Sequence, residues 1–195
     1  MSADRETIGV YDRHAGDYAR RFADEPNPQL EAFIAALPEG AAVLDLGCGP
    51  GHAAGRMAEV GFQVDATDAS KAMVDAARAR GVAARLARFS DPLDPNAYDG
   101  VWANFSLLHA PRHEMPGHLA GLHRALKPGG LLSLGLKTGT GEGRDGFGRF
   151  YTYYEEAELD RLLSTAGFRI ETRVTGRSTG LAGTNDPWIV VTARA

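Results

Sequence analysis

Cysteine is nearly absent from this chain: Cys48 is the only one among 195 residues. A lone thiol excludes a disulfide scaffold. Long apolar runs are missing as well, so no stretch reads as a membrane-crossing helix. The charged start from Asp4 to Glu6 is unlike a signal peptide. A cytoplasmic protein without a membrane partner is the expectation. Neither sign of charge dominates: 21 Lys and Arg face 25 Asp and Glu, for a formal net charge of -4. That balance argues against a dedicated nucleic-acid surface. No metal site is expected. What remains is an ordinary globular mix, 44% hydrophobic and 24% charged. The length suits one sizeable core and not two. No repeat or linker divides it, so a single domain over 1–195 is expected, with 1–40 as an N-terminal helical cap on a core of 41–195. A monomer or homodimer is expected.

The informative stretch runs from Val43 to His52, reading Val-Leu-Asp-Leu-Gly-Cys-Gly-Pro-Gly-His. An apolar run with one acid ends in glycines at alternate positions, and a segment of helical composition follows until Gly61. Strand, glycine turn and helix in that order cradle a nucleotide-like ligand at the end of a buried strand. One glycine is expected to supply a positive φ, and the others to leave the backbone bare for a ligand. Asp45, a charge in a buried strand, needs a partner, either turn N–H groups or a ligand amine. Cys48 reads as a small side chain that fits the turn. A dinucleotide site would have G-x-G-x-x-G. Here Gly51 comes one position early, with His52 where that pattern has glycine.

Before this motif, Ile8, Tyr11, Ala15, Tyr18 and Phe22 follow helical spacing over 7–22. A polar break from Asp24 to Asn27 follows, and Asn27-Pro28 opens a second helix. Beyond the motif, 62–67 alternates as a second strand. Asp68 closes it about twenty residues after the glycines, where ribose-binding acids stand. Asp65 lies mid-strand and is the lesser choice. Ser70 caps a helix over 71–80. Residues 82–87 read as a weak third strand, 98–104 as a fourth, 114–126 as a helix and 131–136 as a fifth strand. Leu126 to Gly130 is expected to be a sharp turn. The glycine-rich 137–150 carries Arg144 and Arg149 ahead of Tyr151, and reads as a lid whose guanidinium forks could hold a carboxylate or phosphate. A last helix, 155–166, precedes strands at 168–175 and 188–193, joined by a polar loop that could border the acceptor.

The run Val43–Gly51 resembles the first motif of class I S-adenosylmethionine (SAM)-dependent methyltransferases, hydrophobic-hydrophobic-D-x-G-x-G-x-G. Tyr11-Asp12, Ala15 and Tyr18 are similar to a segment preceding that family's core, and Leu126–Gly130 to its "LKPGG" turn. The resemblance is to small bacterial single-domain members, distantly like tellurite-resistance methyltransferases. It implies an α/β, Rossmann-like, mostly parallel seven-stranded sheet with helices on both faces and the last two strands as an antiparallel edge. It implies SAM as cofactor, bordered by Asp45, Gly47, Cys48, Gly49, Gly51, Asp68, Ala69, Phe89, Asn104 and Tyr18. The family's adenine-binding acid is missing after the third strand, where Arg88 and Phe89 stand; Phe89 could stack on the base and Asp91 reach its amine. Tyr11, Phe105, Arg144, Arg149 and Tyr151 are then the acceptor-side residues. His109 is the candidate base for an acceptor that must lose a proton. The expected activity is methyl transfer to a small molecule, anionic if the two arginines hold it. The alternatives are a SAM-binding module without catalysis and an NAD-dependent oxidoreductase.

Overall fold

A computed structural model of the chain describes residues 4–21 and 27–195. Phe22 and the break from Asp24 to Pro26 lie outside the described residues. The first two helices are α1 (Arg5–Arg21) and α2 (Pro28–Ala35). The Asn27 side chain caps α2, accepting from Leu30 N–H at 3.1 Å. Then strands and helices alternate: β1 (Ala42–Leu46), α3 (His52–Glu59), β2 (Gln63–Asp68), α4 (Lys71–Ala79), β3 (Ala84–Leu86) and β4 (Tyr98–Asn104). After two short 3₁₀ turns come α5 (Met115–Ala125), β5 (Leu126–Lys137), a hairpin of β6 (Glu142–Arg144) and β7 (Phe150–Thr152), α6 (Glu156–Thr165), β8 (Arg169–Thr179) and β9 (Asn185–Arg194).

Seven strands form one sheet in the order β3-β2-β1-β4-β5-β9-β8, and β6 pairs only with β7. The first five are parallel; β9 runs antiparallel to both β5 and β8. Both faces are covered, which is why the central strands are largely apolar instead of alternating regularly with polar residues. Leu44, Val101, Leu132 and Leu134 pack with Leu119 and Leu122 of α5 and Leu159 and Leu163 of α6. Val43, Trp102 and Leu131 point the other way, toward Leu30 and Phe33 of α2 and Met57 of α3. Strand order reverses between β1 and β4, so the chain diverges there and leaves a crevice at their carboxyl ends.

Three segments depart from expectation in detail. Strand β5 begins at Leu126, which pairs with Tyr98, while Leu131 pairs with Gly100. The intervening residues bulge out through Gly129 at φ 76°, so the sharp turn is an excursion within one strand. The glycine-rich segment 137–150 is partly ordered by the β6–β7 hairpin. The last loop is shorter than expected, because β8 and β9 stay paired out to Thr179 and Asn185.

Candidate functional site

A cleft of about 910 Å³, counted with its open mouth, lies across the ends of the parallel strands. Each strand of that half of the sheet delivers a segment to it: Gly47 and Gly49 after β1, Asp68 to Ser70 after β2, Arg88 to Ser90 after β3, and Asn104 to Ser106 after β4. Helix α1 covers the opening with Thr7, Ile8, Tyr11 and Tyr18. Its Asp12 is fastened to α4, accepting from Ser70 Oγ at 2.6 Å and from Ala72 N–H at 3.1 Å. On the other side Thr7 Oγ1 accepts from Phe150 N–H at 2.8 Å.

The three motif glycines all have positive φ, but they do different work. A Cβ on Gly47 would stand 2.4 Å from Ser106 Cβ, so this glycine lets the β1 and β4 loops meet. One on Gly51 would stand 2.9 Å from Ala77 Cβ, so this one lets α3 pack beside α4. Only at Gly49 is there room: the nearest atom, on Tyr18, is 3.9 Å away. Gly49 is therefore the bare backbone facing the cleft, and Gly51 does not line it.

Asp68 lies beside it. Its carboxylate accepts from Gly49 N–H at 2.9 Å and from Ser70 N–H at 2.8 Å, tying the glycine turn to the end of β2. Burial raises its pKa above the usual carboxylate range. Asp65 is engaged elsewhere, with Arg85 and the Tyr98 hydroxyl. Asp45 is 2% exposed beneath the turn and does not line the cleft. Burial, helped by the Asp68 charge, pushes its pKa up to about 8, and its Oδ2 has no hydrogen-bond partner. Cys48 is buried among Ala54, Ala66 and Val74. Burial also raises its thiol pKa, the opposite of the shift that activates a thiolate.

The end of β4 is tightly built. Asn104 packs where a side chain on Gly135 would be: a Cβ there would fall 1.7 Å from Asn104 Oδ1. Phe105 sits at φ 57°, an unusual conformation for a bulky residue and one that marks functional sites. Its ring is 38% exposed at the cleft, edge-on to Trp188 at 6.2 Å between centroids. Asn104 Oδ1 and Ser106 Oγ are buried, lack hydrogen-bond partners and belong to residues lining the cleft. Unsatisfied buried acceptors are costly, and a ligand that donates to them would remove the cost.

His109 occupies the far wall. Its Nδ1–H donates to the Phe150 carbonyl at 2.6 Å, which fixes the tautomer, so Nε2 accepts from the Tyr11 hydroxyl at 2.7 Å. Burial lowers the His109 pKa to about 4, leaving the ring neutral at ordinary pH. Arg149 donates to the Tyr11 oxygen at 3.3 Å while Asp145 grips it through Nε and Nη2 at 2.9 and 2.6 Å. A continuous chain thus runs from Asp145 through Arg149 and Tyr11 to His109.

Among the sequence-predicted residues, Gly47, Gly49, Asp68, Ala69, Phe89, Asn104, Tyr18, Tyr11, Phe105 and His109 meet in one cleft. Arg144, Arg149 and Tyr151 do not line it. Arg144 pairs with Asp4 and Glu6, and Arg149 is 3% exposed behind Tyr11. Tyr151 is 4% exposed and lies under Lys137 Nζ, 4.0 Å above its ring. Asp91 turns away to accept from Arg88 N–H at 3.0 Å. Sequence reasoning missed Glu114 and His118 on the cleft wall. The spacing of the two α5-side residues looked like that of any amphipathic helix.

Residues 43–130 match the family of methyltransferase domains. Trans-aconitate 2-methyltransferase of Variovorax paradoxus is 39% identical over 124 residues, 59% of this chain and 46% of that protein. Malonyl-[acyl-carrier protein] O-methyltransferase of Pectobacterium atrosepticum is 31% identical over 129 residues, 64% of this chain and 50% of that protein. The chain spans about half the length of these curated relatives. Among solved structures, 1,6-didemethyltoxoflavin-N1-methyltransferase of Burkholderia thailandensis, with 1,6-didemethyltoxoflavin and S-adenosylhomocysteine bound, aligns with a TM-score of 0.72 at 25% identity. That alignment covers 100% of this chain and 91% of the other. Among the described residues no helix is long and apolar enough to cross a membrane, and no cluster of three or more metal-binding side chains occurs.

Proposed function

We propose that this chain, whose residues 43–130 match the methyltransferase-domain family, is a class I SAM-dependent methyltransferase that transfers the methyl group of SAM to a small-molecule acceptor, the whole of 1–195 acting as one unit. The observation that carries this reading is the pairing of bare Gly49 with the Asp68 carboxylate in a cleft that also holds two unpartnered acceptors. That donor and acceptor set fits SAM. Asp68 suits the ribose hydroxyls, since one carboxylate can accept from both. Asn104 Oδ1 and Ser106 Oγ suit a ligand ammonium. Phe89 offers a face to the base. Asp45, Cys48 and Gly51 shape the turn from below. Bound SAM supplies a methyl group already activated by its sulfonium, so the protein's task is chiefly to hold the acceptor at near-attack distance and exclude water.

Tyr11, Tyr18 and Phe105 wall the acceptor end, and aromatic faces stabilise a neighbouring cation by about 0.5 to 2 kcal/mol. His109 is the group that takes a proton from an acceptor bearing one. Its Nδ1–H is held by Phe150 and its Nε2 accepts from the Tyr11 hydroxyl, so the acceptor's proton would pass to the Tyr11 oxygen as Tyr11 hands its own to His109. The two sequence relatives are named for trans-aconitate and malonyl-[acyl-carrier protein], both of which carry carboxylates, whereas the structural neighbour is named for 1,6-didemethyltoxoflavin, a nitrogen heterocycle. Arg144 and Arg149 are both ion-paired to carboxylates, and Arg88 is the arginine that lines the cleft itself.

The test is turnover with methyl-labelled SAM against a panel of hydroxyl, amine and carboxylate acceptors. Label transferred to an acceptor, with S-adenosylhomocysteine formed in equal amount, supports the reading. Tight S-adenosylhomocysteine binding with no transfer to any acceptor would leave a binding module.

A further inference from the structure

Arg88, Phe89 and Ser90 of the loop after β3 line the cleft, whereas Asp91 does not: it accepts from Arg88 N–H and lines an adjoining pocket behind Phe89. A carboxylate reaches that end from elsewhere. Glu114, the residue preceding α5, lines the same cleft together with Phe89 and His118. His118 is 9% exposed, and its ring is edge-on to Phe89 at 6.0 Å between centroids. Its Nε2 stands 3.5 Å from Glu114 Oε2, too far to satisfy a buried nitrogen. One imidazole therefore packs against Phe89 of the loop after β3 and stands against Glu114 at the start of α5.

Three carboxylates line the cleft among the described residues, and two are engaged. Asp4 is held by Arg144 and Thr7, and Asp68 receives Gly49 and Ser70 N–H. Glu114 meets only imidazoles, His118 at 3.5 Å and the exposed His113 at 3.9 Å. We propose that Glu114 receives the exocyclic amine of the adenine ring, in the place an acid at the end of β3 would otherwise take, with His118 as its positioning residue. This rests on the methyltransferase reading. A carboxylate accepts strongly from an amine but repels a carbonyl oxygen at the same ring position, so it selects adenine over hypoxanthine.

Calorimetric titration with S-adenosylhomocysteine and S-inosylhomocysteine tests this without turnover. Wild-type protein should prefer the adenosyl ligand by tenfold or more. Glu114→Gln should weaken it by about ten- to hundredfold, the worth of a hydrogen bond to a charged group, and weaken the inosyl ligand less. His118→Leu should narrow the same preference, and His118→Asn should restore part of it. Equal losses for both ligands in Glu114→Gln, unchanged adenosyl affinity, or a wild type without preference would overturn the assignment. A wild type that binds neither ligand would remove the methyltransferase reading itself, and this inference with it.

Discussion

Tyr11 and His109, 98 positions apart in sequence, are joined by a 2.7 Å hydrogen bond from the tyrosine hydroxyl to Nε2. The bond closes α1 onto the wall of the cleft and engages the Nε2 lone pair. Arg149 and Asp145 hold the tyrosine from behind, so what resembled a lid of binding arginines is the backing of this pair.

Tyr11→Phe keeps the ring and removes the hydroxyl. With a proton-bearing acceptor, kcat should fall by about tenfold or more, toward the lower range of a general-base effect. The dissociation constant for S-adenosylhomocysteine should change little. Steady-state kinetics beside calorimetry separates the two. Equal loss of turnover and cofactor affinity would show that the bond serves to close the cleft and not to act on the acceptor.

The depressed His109 pKa, about 4, has a definite consequence for stability. The unfolded chain binds a proton near the ordinary histidine value of about 6.5, above the folded value, so folding is favoured above both. His109 should therefore contribute no pH dependence above about pH 7, and should destabilise the fold progressively as pH falls from about 6.5 toward 4. Raised Asp45 acts in the opposite direction, but it is common to wild type and a His109→Gln variant. Urea denaturation of both between pH 4.5 and 7.5 should show a shallower acid loss in the variant; parallel profiles would place the His109 pKa near its ordinary value.

Asp68→Ala should weaken S-adenosylhomocysteine by about 1.5–3 kcal/mol, the range for hydrogen bonds to a charged group. It should also lower Tm, since the carboxylate holds two backbone N–H groups in the free protein. Calorimetry and thermal unfolding measure the two effects. Lower Tm with an unchanged dissociation constant would confine Asp68 to the fold.

Gly135→Ala is a sharper change than its size suggests. The new methyl would overlap Asn104 Oδ1, so Asn104 must leave its position at the end of β4. Overpacking of this kind costs about 1–3 kcal/mol. Urea denaturation should show that loss, and calorimetry a weaker S-adenosylhomocysteine complex. A stable variant with native affinity would mean that Asn104 takes no part in holding the ligand.

Much of this was legible in the sequence because it is local. The apolar runs, the caps at Asn27 and Ser70 and the glycine spacing each act within a few residues, and they located the sheet and the ends of β1 and β2. Partner choice was not legible. Arg144 finds Asp4 across 140 positions, and that pairing depends on where α1 lands. The division of work among Gly47, Gly49 and Gly51 depends on Ser106, Ala77 and Tyr18, which the motif does not contain. The positive φ of Phe105 could not be foreseen, because nothing in that residue type favours it.

Calorimetric titration of S-adenosylhomocysteine into wild type and into a folded Gly49→Val variant tests the central claim most directly. The expected result is one-to-one binding by wild type and none by the variant, whose branched side chain would enter the open space beside Tyr18. No binding by wild type, or equal affinity in a variant that retains the wild-type fold by circular dichroism, would contradict it.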